Sequence, residues 1–317
     1  MALFKKKHTE IPLKRLNSAV DPVMDDEDVY FSAKVEGYWT TIFKRFCRHW
    51  YGIAGLIVLA LLIFSAVAAP LLTPYEYDKI DFSAAPMGQP QPPSEDHIFG
   101  TDRLGRDYFT RCLYGGRISL MVGFGAVIIQ LLIGIPLGCI AGYYRGIADN
   151  LICRFIDFFS CVPSTFLILL VNALLSPNIF NVMLVLGVFG WTGYTRFVRS
   201  YFLSLREQEF VQAAKAAGLK ERTIVFKHIL PHTLTPLILS VSMGIGGAIL
   251  SESGLSYLGL GVQEPVPSWG AMIAGGQDYV NSAPWLSLFP GIMITLTVLS
   301  LCFIGEAFRQ AIDPRAN

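Results

Sequence analysis

The chain has 317 residues, 53% of them apolar, 13% aromatic and only 15% charged, with a net charge of +1. Soluble domains carry about 25% charged residues, and this deficit is concentrated in long runs without any Asp, Glu, Lys or Arg, which excludes an ordinary soluble domain. The runs lie between Arg48 and Glu76, Arg117 and Arg145, Asp157 and Arg196, Lys227 and Glu252, and Asp278 and Glu306. Each matches or exceeds the ~20 apolar residues that span a bilayer. The run from Phe158 to Thr195 is long enough for nearly two crossings, and Ser176-Pro177-Asn178 reads as a tight turn within it. The expected architecture is therefore an all-α polytopic membrane protein with six transmembrane helices.

In chain order, residues 1–49 form a hydrophilic lead with nine Lys and Arg, including Lys5-Lys6-Lys7, Lys44-Arg45 and Arg48, and an acidic segment from Asp21 to Asp28. The first span is placed at 50–72, followed by an outer loop at 73–117. Spans two to four fall at 118–142, 153–175 and 179–197. A charged segment, 198–232, precedes span five at 233–252. A second outer loop covers 253–285, span six 286–306, and a short tail 307–317. Pro136, Pro163 and Pro236 fall inside these spans, where buried helices accommodate kinks. Basic residues collect on the cytoplasmic side of membrane proteins. The lead and the segment 196–232 are rich in Lys and Arg, whereas 256–285 has none, so both termini are expected in the cytoplasm. The first apolar run starts near residue 50, too late for a cleavable signal peptide. The six cysteines show no metal-ligand spacing, and only Cys112 is expected outside, so no disulfide is expected.

The segment 198–232 is soluble in character. Ala213, Ala214, Ala216 and Ala217 recur at helical spacing and make a face that another surface can approach closely. Gly218 is a natural helix terminator. A second short helix, about Lys220 to Leu230, presents Ile224, Val225, Phe226 and Ile229, and Pro231 is expected to stop it. An amphipathic helix lying on lipid headgroups fits these residues. A helix, glycine turn and helix held as a docking knob for a protein partner fits them as well.

The stretch resembles the coupling motif of ATP-binding-cassette importer permeases, with Gln212-Ala213-Ala214, Gly218 and Leu230-Pro231 at the motif positions. Gln212 stands where the family has glutamate, and His228 where it commonly has isoleucine; His-Ile-Leu-Pro is a form found in the dipeptide and oligopeptide branch. The segments "FGTDRLGRDYFTRCLYGGRISLMVG" (99–123), "SESGLSYLGLGVQEPVPSWGAMI" (251–273) and "APWLSLFPGIMITLTVLSLCFIGEAFRQAIDP" (283–314) resemble the same branch in the same order, with Cys302 and Glu306 where Asn and Asp would be expected. The resemblance is to the C-type permease of a dipeptide, oligopeptide or nickel importer, and it places the permease core at about 99–314. It implies a type I importer bundle with a cytoplasmic coupling helix and no catalytic residues. The implied partners are a homologous permease, one or two ATPase subunits that bind ATP and magnesium, an extracytoplasmic substrate-binding protein, a peptide substrate and membrane lipid. No cofactor on this chain and no nucleic acid are implied. Residues implied to engage the ATPase are Gln212, Ala213, Ala214, Ala217, Gly218, Ile229, Leu230 and Pro231. The implied location is the cytoplasmic membrane of a bacterium or archaeon.

Other residues stand out by their chemistry. In "DRLGRD", Asp102, Arg103, Arg106 and Asp107 fit either an outer gate or binding-protein contact, or a self-satisfied turn before a helix. Glu252 is expected at the outer membrane surface, as a gate or docking residue or as a solvated helix end. Arg154 with Asp157, and Glu306 with Arg309, are expected to pair at the inner interface. His228 and His232 are four residues apart, but Pro231 lies between them and no zinc-protease glutamate accompanies them, so no metal site is expected. All five histidines lie outside the central spans, which favours peptide over nickel as cargo. Gly254, Gly259 and Gly261 are not followed by the Lys-Ser/Thr of a nucleotide loop. A gradient-driven secondary transporter would need midplane ionisable groups and repeated halves, and neither is present in the sequence. A non-transporting membrane scaffold remains compatible with the same residues.

Overall fold

The computed structural model describes residues 38–175 and 178–312. The hydrophilic lead up to 37, the turn at Ser176-Pro177 and the last five residues of the tail lie outside them. The chain divides after Thr41, and the unit Ile42–Asn317 holds nearly all of the described structure. Among the described residues every regular element is helical, and the only β pairing is an isolated bridge between Thr101 and Asp107.

Helix α1 spans Tyr38–Phe46 and α2 spans Trp50–Val67, with a short α3 at Ala69–Leu72. Irregular chain then leads to α4, Tyr108–Tyr144, whose first turn is capped by Asp107: its carboxylate accepts from the Thr110 amide at 2.8 Å. Helix α5 covers Gly146–Ser160 and α6 Ser164–Leu174. These two meet at 71°. The break falls at Cys161-Val162-Pro163, and Pro163, which has no amide hydrogen to donate, stands immediately before α6. The expected third span is thus a bent pair rather than one kinked helix. Helix α7 runs Ile179–Leu205, opened by the Asn178 side chain accepting from the Phe180 amide at 2.9 Å. After α8, Glu209–Ala216, comes α9, Glu221–Thr223, a π-helical segment Ile224–Ile229, and α10, Leu230–Tyr257. An outer helix α11, Trp269–Gly276, and the long α12, Trp285–Ile312, complete the chain.

Pro231 does not stop the second helix of the charged segment. Glu221–Tyr257 is one helical run of 37 residues. The reason is the π segment: the Leu230 amide donates to the Val225 carbonyl, five residues back. Pro231 follows where the ladder returns to α-helical register, and a proline at the start of such a register is tolerated.

Among the described residues, four helical runs are long and apolar enough to cross a membrane: α2, α4, Glu221–Tyr257 and α12; the bent α5–α6 pair makes a fifth if taken as one broken span. Helix α7 is about 40 Å long at ~1.5 Å per residue, but Arg196 and Arg199 interrupt its apolar character.

Helix α4 is the centre of the bundle, and its closest neighbour is α7. Gly134, Gly138 and Gly142 recur every fourth residue along α4, and each faces one α7 side chain: Tyr194, Val198 and Phe202. A Cβ placed on Gly138 would lie 2.7 Å from Val198 Cβ and 2.9 Å from the Thr195 carbonyl oxygen. Small residues at this spacing let membrane helices approach closely. Gln130 Nε2 adds a bond to the Leu186 carbonyl at 2.9 Å, and the Tyr194 hydroxyl donates to the Ser240 carbonyl of α10 at 3.2 Å. On the other side α2 lies against α12, with Gly52 on Ala307 and Gly55 on Ser300. Ile42 and Phe46 of α1 pack on Ala307 and Ala311. The Glu306–Arg309 pair forms as expected, at 2.6 Å. Asp157, in contrast, pairs at 3.8 Å with Arg196 of α7 rather than with Arg154 of its own helix.

Candidate functional site

The charged segment folds as an elbow between α7 and the 37-residue helix. Gly218 adopts φ +74°, the left-handed conformation that L side chains disfavour. The Leu219 amide donates to the Ala214 carbonyl at 3.2 Å and the Gly218 amide to the Lys215 carbonyl at 2.9 Å. That pair of bonds is the Schellman closure of a helix C-terminus. Lys220 then opens the next helix.

Burial divides the residues expected at this site. Val211 and Ala214 of α8 turn inward with Ile224 and Ile229 into the main core. Gln212, Ala213, Ala216, Ala217 and Gly218 are exposed, Ile229 is fully buried, and Leu230 and Pro231 are half-buried. The outward face is thus an amide, three small alanines and a glycine, flanked by exposed Phe210, Leu219 and Phe226. Such a face offers shape and little charge, and its inward half anchors it to the bundle.

Gln212 bends back so that Nε2 donates to the Arg206 carbonyl at 3.0 Å, just beyond the end of α7. A glutamate could accept but not donate here. Gln212→Glu is therefore expected to cost about 0.5–1.5 kcal/mol, leaving the melting temperature within roughly 2–4 °C of wild type per kcal/mol. A fall in melting temperature well beyond that range would mean that the amide does more than hold the Arg206 carbonyl.

Several residues that secure the elbow carry no local sequence signal, because their partners are distant in the chain. Arg206 Nη1 donates to the Tyr143 carbonyl. The Arg206 guanidinium and the Lys215 ammonium stand over the Tyr143 ring at 5.7 and 5.9 Å. Arg145 pairs with Glu207 at 2.7 Å. Arg199 grips Asp149 of α5 through two bonds of 2.5 and 2.7 Å, the bidentate geometry that makes such pairs strong. The α4–α5 turn and the elbow are thereby joined.

At the far end of the bundle, "DRLGRD" is a closed turn. Asp102 Oδ1 accepts from the amides of Leu104 and Arg106 at 2.9 and 3.0 Å, and Oδ2 accepts from Arg106 Nε at 2.6 Å. Asp107 caps α4 and also meets His97 Nδ1 at 2.9 Å. Asp102, Arg106 and Asp107 are buried, whereas Arg103 is exposed. The structure adds a partner from 158 residues away: Arg106 Nη2 donates to Glu264 Oε1 at 2.9 Å. Burial opposes ionisation of Glu264, but the hydrogen bond and charge of Arg106 outweigh it and hold the carboxyl below its ordinary value.

The sign of the resulting pH dependence follows. A depressed carboxylate stabilises the fold above its unfolded pKa, and this contribution is lost as pH falls through the folded value. The melting-temperature difference between wild type and Glu264→Gln is thus expected to be full above the ordinary glutamate value of about 4.3 and to shrink below it. A difference that stays constant on acidification would contradict the pairing.

Glu252 is neither solvated nor at a helix end. Its side chain is fully buried, five residues before the end of α10. Ser119 of α4 and Ser256 donate to its two oxygens at 3.0 and 2.7 Å.

Residues 134–317 match the family model of the binding-protein-dependent transport system inner membrane component. Residues 37–93 match the N-terminal TM domain of oligopeptide transport permease C. The chain is 43% identical to the dipeptide transport system permease protein DppC of Alkalihalophilus pseudofirmus, over 87% of this chain and 90% of the relative. It is 40% identical to the oligopeptide transport system permease protein OppC of Haemophilus influenzae, over 87% of this chain and 88% of the relative. Among solved structures, the MetNI methionine ABC transporter in an inward-facing form superimposes with a TM-score of 0.52 at 16% identity, covering 64% of this chain and 97% of the other, a likeness of fold. The helical bundle, the family model across its C-terminal part and these identities agree: the chain belongs to the binding-protein-dependent transport system inner membrane components.

Proposed function

We propose that this chain is one of two permease subunits of an ATP-driven importer for di- or oligopeptides. It forms half of the translocation pathway and contacts cytoplasmic ATPases through residues 212–231 of the elbow. The observation that carries this reading is the elbow itself, a glycine-closed helical corner with an exposed small-residue face, anchored from behind by buried Val211, Ala214, Ile224 and Ile229. The peptide cargo is supported by the dipeptide and oligopeptide relatives. In this reading ATP and magnesium sit on the ATPase subunits, and a binding protein delivers the substrate from outside. Six spans are proposed: α2, α4, the bent α5–α6 pair, α7, the 37-residue helix and α12. Both termini then face the cytoplasm of a bacterium or archaeon, the side on which the basic residues of the elbow lie.

Gentle purification of the tagged protein from its native membrane, with mass spectrometry of what accompanies it, tests the reading. A second permease and one or two ATPases are expected, and the cognate binding protein should take up peptides. Recovery without any ATPase, under conditions that preserve other membrane complexes, would overturn the importer reading. A binding protein that takes a nickel chelate and no peptide would overturn the cargo assignment alone.

A further inference from the structure

We infer that Glu252 is a positioning residue that fastens the outer segment 258–285 to the helix whose opposite end carries the elbow, so that one continuous element joins the ATPase side to the binding-protein side. This rests on the importer reading above.

The Glu252 carboxylate has no exposed surface and, among the described residues, no ion-pair partner. A buried carboxylate is costly unless its lone pairs are filled, and here hydroxyls fill them. Each serine has one hydroxyl proton to donate and two lone pairs to receive. Ser119 directs its proton to Oε2 and receives the Trp269 amide at 3.2 Å. Ser256 directs its proton to Oε1 and receives the Val262 amide and the Ser268 hydroxyl, both at 3.3 Å. Ser268 in turn caps α11 by accepting from the Ala271 amide at 3.2 Å. The Trp269 amide and the Ser268 hydroxyl at the start of the outer helix thus donate, through Ser119 and Ser256, towards one carboxylate, which the Ser253 hydroxyl also reaches at 3.5 Å. An amide at 252 would present an N–H₂ group to a hydroxyl that is already donating.

Trp269 supplies the second attachment. Its Nε1 donates to the Cys112 carbonyl of α4 at 3.0 Å, and its ring fills the space above Gly116, where a Cβ would lie 2.8 Å from Cζ2. The outer helix is thus tied to α4 by an indole and to α10 by the carboxylate. Glu252 stands 31 residues after Glu221, within the same helical run, and so about 46 Å from the elbow at ~1.5 Å per residue. Displacement of the elbow acts on the outer segment through backbone hydrogen bonds and this hub, beside which Gly270 of α11 packs on the Ser253 backbone, the kind of contiguous packed route that carries coupling between sites.

The test uses the whole transporter, with its partner permease and ATPases in lipid nanodiscs, and reads ATP hydrolysis against the concentration of the cognate binding protein. Glu252→Gln breaks the hub at its centre. Ser268→Ala removes the relay from α11 together with the α11 cap and leaves Ser119 and Ser256 on the carboxylate. Coupling between sites typically changes affinity by ~5–150-fold. Both variants are expected to raise the half-stimulating concentration of binding protein by at least about fivefold. A loss of folded transporter would lower the maximal rate and leave that concentration where it was. If Glu252→Gln fails to assemble, Ser268→Ala decides. A wild type that is stimulated, with variants stimulated at the same concentration, overturns this inference alone; a wild type that no binding protein stimulates overturns the importer reading and the inference with it.

Discussion

Gly218→Val is expected to reduce ATP-dependent uptake at least about tenfold while the protein reaches the membrane in wild-type amount. A Cβ at this position meets nothing within 4 Å, so no clash contributes. The effect comes from φ +74° alone. A left-handed L-residue costs about 1–2 kcal/mol, and a β-branched residue tolerates the conformation less well than most. Relief of that strain moves α8 relative to α9, and 1.4 kcal/mol lost from the docked geometry is tenfold in affinity. Gly218→Asn is the control, since asparagine enters the left-handed region more readily, and it should retain most of the uptake. Uptake assays on membranes with matched expression separate the two. Wild-type uptake with valine would remove the elbow from the mechanism.

Gly138→Leu is expected to disrupt the fold itself. Even the Cβ of alanine would press on Val198 Cβ at 2.7 Å and on a backbone oxygen that cannot rotate away. Overpacking a tight interior costs about 1–3 kcal/mol, and leucine adds three more carbons to the same gap. The expected readout is a fall in melting temperature and in the yield of monodisperse protein. Gly138→Ala should show a milder form of both. Combining it with Val198→Gly should recover part of the loss, because the facing knob is removed; contacting residues are expected to be non-additive in this way. Strict additivity of the two substitutions would place the α4–α7 contact elsewhere.

The charge-free runs made the membrane helices legible, because a mid-bilayer charge is too costly to hide. Gly218 was legible as a helix terminator for an equally local reason. The Gly134, Gly138 and Gly142 repeat is visible in the sequence too, at the spacing of membrane helix pairing, but the repeat alone does not name α7 as the partner. Pro231 misled, because a proline ends a helix only where its missing amide would have been needed, and a wider turn upstream changes which amides those are. Pro163 went the other way, ending a helix where a kink was expected. The Arg106–Glu264 pair and the Ser119 bond to Glu252 could not be read at all. Their partners are 158 and 133 residues apart, and no period or local spacing relates them. Glu252 illustrates the general difficulty: a charge inside an apolar segment announces itself, but the neutral hydroxyls that accommodate it look like any other serines.

The π-helical turn at Ile224–Ile229 also sets a rotational phase. It accommodates one more residue per turn than its α-helical neighbours, and each residue advances an α-helix by about 100°. The elbow end of the 37-residue helix and its far end are therefore clocked against each other by an angle that a uniform α-helix of the same sequence would not produce. Were this turn to close as an ordinary α-helix with all of its residues kept, Phe226 and the elbow would swing about 100°, the advance of one residue, around the axis relative to Ser242 and Glu252, so that one end of the helix could face its partner only with the other end facing away.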